Sequence, residues 1–497
     1  MKTLFVTMLF CLAFPVPALA ADARKPNIIF ILGDDLGYAE LGCYGQKKIR
    51  TPNLDRLAAD GVRFTQHYSG NAVCAPSRCV LLTGKHPGHA YIRDNREVQP
   101  EGQTPLPADT VTIARLLKQQ GYATAVMGKW GLGPVGSDGD PLKQGFDRFF
   151  GYNCQRHAHN YYPTYLYDNE KRVELNNPAI GPNQKLPPDA DPQSPASYER
   201  FKGKDYAPDL TAEQALRFIR ENKDRPFFLY YATTVPHLAL QVPDDSLAEY
   251  AGKWPDPPYT GGKGYLPNRT PRATYAGMIT RLDSAVGRML ALLAELGLDD
   301  DTIVVFTSDN GPTYDGTGGS DADFFASSGP LRGLKGSLYE GGIRVPCIVR
   351  WKGRIQAGSA SDRVTGFEDW LPALLDLAGA ATAAPKDVDG ISFAPTLRAQ
   401  QQEPRPFLYR EFPAYGGQQC VRIGDWKGIR QKLSPGKTGK PRMEIELYNL
   451  KDDIGEKKDV AAEHPDIVSS IERIMREQHT PSPLFKFPAL DEQPAVK

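Results

Sequence analysis

The fold of this 497-residue chain is restricted most by a set of unbroken apolar runs separated by helix-patterned segments. Asn27-Ile28-Ile29-Phe30-Ile31-Leu32 is the first, and Tyr122-Ala123-Thr124-Ala125-Val126-Met127 the second. Phe227-Phe228-Leu229-Tyr230-Tyr231-Ala232 and Thr302-Ile303-Val304-Val305-Phe306-Thr307 follow. A strand with one wet face alternates polar and apolar residues, so runs without alternation read as strands covered on both faces. Helix signals fall between them. Thr51-Pro52 opens one segment that stops at Gly61, and another spans Thr110 to Gln120. Thr211-Ala212-Glu213-Gln214 reads as a capping box for a helix through Glu221, and Thr270-Pro271 opens a long amphipathic helix to Gly297. Strands alternating with helices predict an α/β domain with a mostly parallel central sheet flanked by helices, whose strand C-terminal ends face one crevice.

Residues able to do chemistry stand at those ends. Gly33-Asp34-Asp35 follows the first run, Gly128-Lys129-Trp130-Gly131 the second, Pro236-His237 the third and Ser308-Asp309-Asn310-Gly311 the fourth. Two adjacent carboxylates at a strand end suit a cation, and a turn capping the next helix explains the pair equally well. Cys74-Ala75-Pro76-Ser77-Arg78 reads as a helix start, with Pro76 in the first turn and Gly84 as the stop. Free N–H groups and the helix dipole favour an anion there, and Arg78 adds donors one turn on. Taken alone, the same stretch also fits a free or reactive cysteine at a helix cap.

Four motifs bring these residues together. They are Cys74-x-Pro76-Ser77-Arg78 with Leu81-x-Thr83-Gly84, then Gly121-Tyr122-x-Thr124 leading to Gly128-Lys129, then Thr307-Ser308-Asp309-Asn310-Gly311, and finally Lys335-Gly336 with Glu340-Gly341-Gly342-x-Arg344-x-Pro346. In this order, over nearly the whole chain, they resemble the formylglycine-dependent sulfatases, arylsulfatase-like members of the alkaline phosphatase superfamily. The resemblance implies that Cys74 is oxidised to formylglycine, whose hydrate attacks the sulfur of a sulfate monoester. It implies that Asp34, Asp35, Asp309, Asn310 and residue 74 surround one cation, which hard oxygen ligands make Ca²⁺ or Mg²⁺ in preference to Zn²⁺. Arg78 then supports the nucleophile, Lys129 and His237 contact sulfate, and Lys335 lies on the leaving-group side. The implied partners are a sulfated carbohydrate or aryl sulfate substrate and a formylglycine-generating maturation enzyme.

One position departs from the pattern. Many relatives carry a histidine where this chain has Gly131, and it is thought to take the proton that lets sulfate be expelled. His157 or His159, in the short aromatic segment Phe149 to Tyr162, which reads as irregular, is the expected replacement; the alternative is that both are surface or packing residues of an insertion. Just beyond the Cys74 helix, His86, His89, Arg93 and Asp94 fit either a substrate mouth or an ordinary loop.

Composition sets the remaining limits. Lys+Arg and Asp+Glu are both 59, a balance that offers no broad cationic field, so nucleic acid is not an expected partner. Lys2, the apolar stretch Leu4 to Val16 and Ala18-Leu19-Ala20 make residues 1–20 an expected signal peptide, so the protein is expected in the periplasm or secreted. No later run is apolar for long enough to span a bilayer, and stable membrane insertion is not expected. The scattered cysteines give no readable disulfide framework. Polar residues, Gln and Pro cluster around 395–406, which divides an expected catalytic domain, 21–400, from a small C-terminal domain, 401–497. The latter should hold antiparallel strands, a helix from Pro465 to His479, and a fraying Pro-rich tail. Two other functions fit the same residues less fully: a phosphodiester or phosphonate monoester hydrolase of the superfamily, and a non-catalytic glycan-binding relative.

Overall fold

The computed structural model describes residues 24–262, 264–435 and 439–492. The expected signal peptide, residues 1–20, lies outside the described residues. An eleven-stranded sheet forms the centre of the molecule. Its middle is β1 (Asn27–Asp34), flanked in parallel by β7 (Phe227–Pro236) and β8 (Thr302–Ser308). Beyond β7 come β3 (Ala123–Lys129) and β4 (Arg148–Tyr152), both parallel, then the antiparallel pair β5 (Tyr165–Asp168) and β6 (Lys171–Glu174). Beyond β8 come β9 (Arg344–Arg350) and β2 (Val62–Tyr68), with short β10 (Ser359–Ser361) and β11 (Thr365–Gly366) on β2. β9 is antiparallel to both neighbours, so the sheet is mixed around a parallel middle.

The unbroken apolar run of β1 is explained by its two faces. Ile29 and Ile31 enter one core, against α4 (Ala207–Glu221) and α5 (Pro271–Glu295), while Ile28, Phe30 and Leu32 enter the other. That second core is roofed by α2 (Cys74–Thr83), α3 (Ile113–Gln119) and α6 (Trp370–Leu377), α1 (Pro52–Ala59) lying on the first. Alternate side chains point to opposite faces of a strand, so both sets must be apolar when both faces are covered. Full burial contributes roughly 1.5–3 kcal/mol for each large side chain.

A second, antiparallel sheet of four strands holds β12 (Leu408–Phe412), β13 (Gln418–Ile423), β14 (Trp426–Gln431) and β15 (Glu446–Asn449). Helix α7 (Pro465–Glu477) packs Ile471, Ile474 and Met475 onto Tyr409, Val421 and Leu447. Arg410 of β12 ties this sheet to the large one through a buried ion pair with Glu368, 2.9 Å long. Among the described residues no helix is long and apolar enough to cross a membrane.

Three expectations are corrected. Helix α4 begins at Ala207 with Pro208 in its first turn, so Thr211 is inside it and gives its hydroxyl to Pro208 O instead of capping. The segment expected to be irregular opens on strand β4, because pairing with β3 overrides a local signal that Gly151 and scattered aromatics mask. The tail through residue 492 does not fray, because Phe485, Phe487 and Leu490 are buried and Thr480 bonds Gly88. The six described cysteines, Cys43 to Cys420, are all free thiols.

Candidate active site

The parallel strand ends deliver their polar residues to one buried pocket under α2. Val73 in extended backbone precedes the helix, Gly84 closes it in the left-handed region (φ 68°), and Cys74 stands at the first position. Asn95, which carries no motif and was missed from sequence, accepts from Ala75 N at 3.0 Å and covers a free N–H of that first turn. Asp35 takes φ 64°, a left-handed conformation that an aspartate tolerates better than most residues, and so turns away from Asp34 immediately beyond the strand.

Arg78 is fully buried and organises the floor. Its Nη2 lies 2.8 Å from Asp309 Oδ2 and 3.0 Å from Asp34 Oδ2, and its Nη1 donates to Lys129 O at 2.7 Å. The guanidinium therefore holds two carboxylates from different strands, rather than pointing at the helix N-terminus alone. Lys129 Nζ is 2.7 Å from Asp34, and Lys335 Nζ is 2.7 Å from Asp35 and 3.6 Å from Cys74 Sγ. His237 gives Nδ1–H to Leu238 O, which leaves Nε2 bare and 3.7 Å from Asp35. Burial, then Lys335 and Lys129, hold this ring well below the ordinary imidazole range.

Burial and the neighbouring Asp34 push the Cys74 thiol up to about 12. A cysteine used as a nucleophilic thiolate needs the opposite shift. The reactive-cysteine reading of this helix cap thus has no electrostatic support.

The oxygen donors among these residues, from Asp34, Asp35, Asp309 and Asn310, fit a hard cation. Ligand atoms of Asp34, Asp35, Cys74 and His237 all lie within 4.8 Å of one another. Asn310 donates Nδ2 to Asp35 at 2.7 Å, and its Oδ1 is buried with no hydrogen-bond partner, an acceptor waiting for a positive charge. Burial and Asp34 raise Asp309 to about 6, a strain that a cation would relieve. Three carboxylates already face the three side-chain cations Arg78, Lys129 and Lys335. A divalent ion would therefore give the pocket the excess positive charge that an anionic substrate needs.

His157 and His159, two residues apart in a single tight turn, separate completely. The His159 ring stacks on His237 with centroids 4.9 Å apart and planes 21° apart, and Tyr265 lies behind it at 5.5 Å. His157 turns to Tyr165 and Tyr152, and its charged neighbours are Glu101 and Arg172. Gly131 takes φ 77°, and a Cβ there would lie 2.7 Å from Gln155 Nε2. Gln155, another residue that no motif flags, fills the space a larger side chain would need. His86 and His89 stack beside Asp389, and Arg93 binds Glu411 and Gly88 O, so this trio serves the packing of the loop.

Fold and pocket together define a hydrolase of anionic esters in the alkaline phosphatase superfamily. The Sulfatase family model matches residues 26–380, and a model described as N-sulphoglucosamine sulphohydrolase, C-terminal, matches residues 334–480. The chain belongs to the sulfatase family and is an arylsulfatase-like sulfuric ester hydrolase. It is 36% identical to arylsulfatase A of Homo sapiens over 427 residues, 82% of this chain and 75% of that one. It is 32% identical to N-acetylgalactosamine-6-O-sulfatase of Bacteroides thetaiotaomicron over 513 aligned residues, 92% of this chain and 94% of that one. The crystal structure of Ps i-CgsB in complex with k-i-k-neocarrahexaose superposes with a TM-score of 0.75 at 26% identity, covering 95% of each chain. Sulfatases in general use a metal ion and a formylglycine.

Proposed function

We propose that this protein hydrolyses a sulfate monoester on a carbohydrate, with residue 74 as nucleophile after oxidation of its cysteine to formylglycine. The reading is carried by Cys74 Sγ standing 3.5 Å from Asp34 and 3.6 Å from Lys335 inside a pocket lined by matched charges. The relative named N-acetylgalactosamine-6-O-sulfatase and the neocarrahexaose complex favour a sugar as the alcohol. Asp34, Asp35, Asp309 and Asn310 would hold the cation, Ca²⁺ or Mg²⁺. When bound, the cation supplies charge stabilisation, and formylglycine supplies a hydroxyl nucleophile.

The side chains do the rest. Arg78 fixes Asp34 and Asp309 in place, and its buried charge favours an ionised oxygen at residue 74. Lys129, held by Asp34, and Lys335, held by Asp35, neutralise sulfate oxygens, while His237 presents Nε2 toward the departing alcohol. His159 stands behind His237 and serves as the base that Gly131 does not provide; burial and then His237 hold it in the neutral form that a base needs at the start of the step. Alanine at 159 should lower kcat about 100-fold for an aryl sulfate, while alanine at 157 leaves kcat within threefold. Equal rates for both variants and wild type would remove His159 from the mechanism.

The protein's expected setting is the periplasm or the exterior, supported by the pattern of residues 1–20, and a maturation enzyme of the host must supply the oxidation. The architecture we propose is a catalytic unit, 21–400, and a C-terminal unit, 401–497, supported by the start of the second sheet at Leu408. The decisive experiment is mass spectrometry of the tryptic peptide Phe64 to Arg78 from protein made in its native host. It is paired with turnover of an aryl sulfate, a phosphodiester, and sulfated galactose and N-acetylgalactosamine saccharides. The expected result is formylglycine at position 74 and release of sulfate from a saccharide. Unmodified cysteine with no sulfate released, or faster cleavage of the phosphodiester, would overturn the reading.

A further inference from the structure

The entrance beyond Lys335 carries an aromatic surface that sulfate binding does not require. Tyr314, in the loop after β8, places its ring 6.0 Å from Lys335 Nζ. Its hydroxyl meets that of Tyr415 at 2.5 Å, and the two ring planes differ by only 24° with centroids 6.0 Å apart. Tyr415 belongs to the β12–β13 loop of the second sheet and also stacks on Phe412, at 5.4 Å and 27°. The three rings thus form one contiguous aromatic cluster that reaches from the neighbourhood of Lys335 to the exposed Tyr415, built by residues about a hundred positions apart.

Tyr415 is 60% exposed, more than any other large hydrophobic side chain among the described residues. Packing therefore does not account for it. Nor does turn geometry, because its φ is +51°, a left-handed conformation that glycine adopts freely and tyrosine does not. The loop is nonetheless fixed: Gly417 N bonds Ala414 O at 3.0 Å, and Leu433 N bonds Gly417 O at 3.0 Å. Gly336, the neighbour of Lys335, takes φ 82° and lies against both rings. A Cβ there would stand 3.4 Å from Tyr415 and 3.5 Å from Tyr314. A rigid, exposed ring held in a disfavoured backbone conformation beside a binding pocket points to a ligand contact.

We propose that Tyr415, with Tyr314, forms a stacking subsite for a pyranose ring one residue beyond the sugar that carries the scissile sulfate. A flat apolar face with hydroxyls at its edge matches a pyranose, which presents C–H groups on its face and hydroxyls at its rim. Tyr314 contacts both Lys335 and Tyr415, so a sulfated ring anchored at Lys335 would meet Tyr314 and its neighbour Tyr415. The inference rests on the sulfated-carbohydrate reading and extends it to oligosaccharides.

The test uses the full-length, formylglycine-loaded protein and compares a sulfated monosaccharide with the oligosaccharide bearing the same sulfated unit: N-acetylgalactosamine 6-sulfate against chondroitin 6-sulfate oligosaccharides, and galactose 4-sulfate against carrageenan oligosaccharides. Tyr415→Gly removes the ring and suits the left-handed turn, so the fold is not put at risk. The expected result is a KM for the oligosaccharide raised about tenfold with kcat within twofold, and both constants for the monosaccharide within twofold. Tyr415→Trp should restore the KM. An unchanged oligosaccharide KM, an equal rise for both substrates, or a wild type that accepts monosaccharides alone overturns the subsite and leaves the hydrolase reading standing. Formylglycine-bearing wild type that is inert toward every saccharide and aryl sulfate overturns both.

Discussion

Replacing Cys74 with alanine is expected to lower kcat toward any sulfate ester by at least about 10⁴-fold while the folded state persists. Loss of a covalent nucleophile elsewhere costs about 10⁶ in kcat, and what survives comes from the binding and charge of the remaining site. Here that remainder should be large, because the variant keeps Arg78, Lys129, Lys335 and His237, the side chains we propose to surround the sulfate. In that reading they stabilise developing charge, and none of them replaces the nucleophile. The residue to be deleted is 1% exposed and makes long contacts only, 3.5 Å to Asp34 and 3.6 Å to Lys335, so its removal leaves a void of little more than one sulfur atom. The stability change should stay within roughly 1.5 kcal/mol. Initial rates with an aryl sulfate, beside a thermal unfolding curve, make the check. A variant that kept more than 1% of wild-type turnover would show that residue 74 is not the nucleophile.

The second large effect falls on stability as well as rate. Arg78→Met should destabilise the fold by about 3–5 kcal/mol and abolish measurable turnover, because it strands Asp34 and Asp309 without their shared counter-charge. Both carboxylates and the guanidinium are wholly buried, so water cannot take the place of the lost donors. Arg78→Lys should fall between, since an ammonium keeps the charge but cannot bond Asp34, Asp309 and Lys129 O from one rigid fork. Denaturant unfolding of the three proteins in chelator isolates the ion pairs from any bound cation. A loss under about 1 kcal/mol for the methionine variant would mean that the carboxylates find other partners, and the organising role given to Arg78 would fail.

Local chemistry was readable in the sequence because its signals are short. An unbroken apolar run needs only two covered faces to explain it, so β1, β3, β7 and β8 were found. Pro76 and Gly84 mark the ends of α2 by their own dihedral limits, which placed Cys74 at its first position. Each polar pair, Asp34-Asp35 and Asp309-Asn310, stands at the end of a strand of known direction, and parallel neighbours bring such ends together. The misses were also local in origin. Thr211 looks like a cap until Pro208 starts the helix a turn earlier, and β4 has too few residues to show a period.

What the sequence alone determined is the alternation that builds the parallel sheet, the end of that sheet where the polar residues collect, and the kind of side chain found there. What only the tertiary structure decided is which of them touch. His157 and His159 are equal candidates along the chain, and a single tight turn sends one to Tyr165 and the other onto His237. Arg78 could bond any nearby acceptor, and the register of β1 against β8 sets Asp34 and Asp309 on either side of it. Tyr415 meets Tyr314 because the second sheet docks through Arg410 and Glu368. Such contacts depend on strand register and docking over hundreds of residues, and no local period or terminator in the sequence encodes those distances.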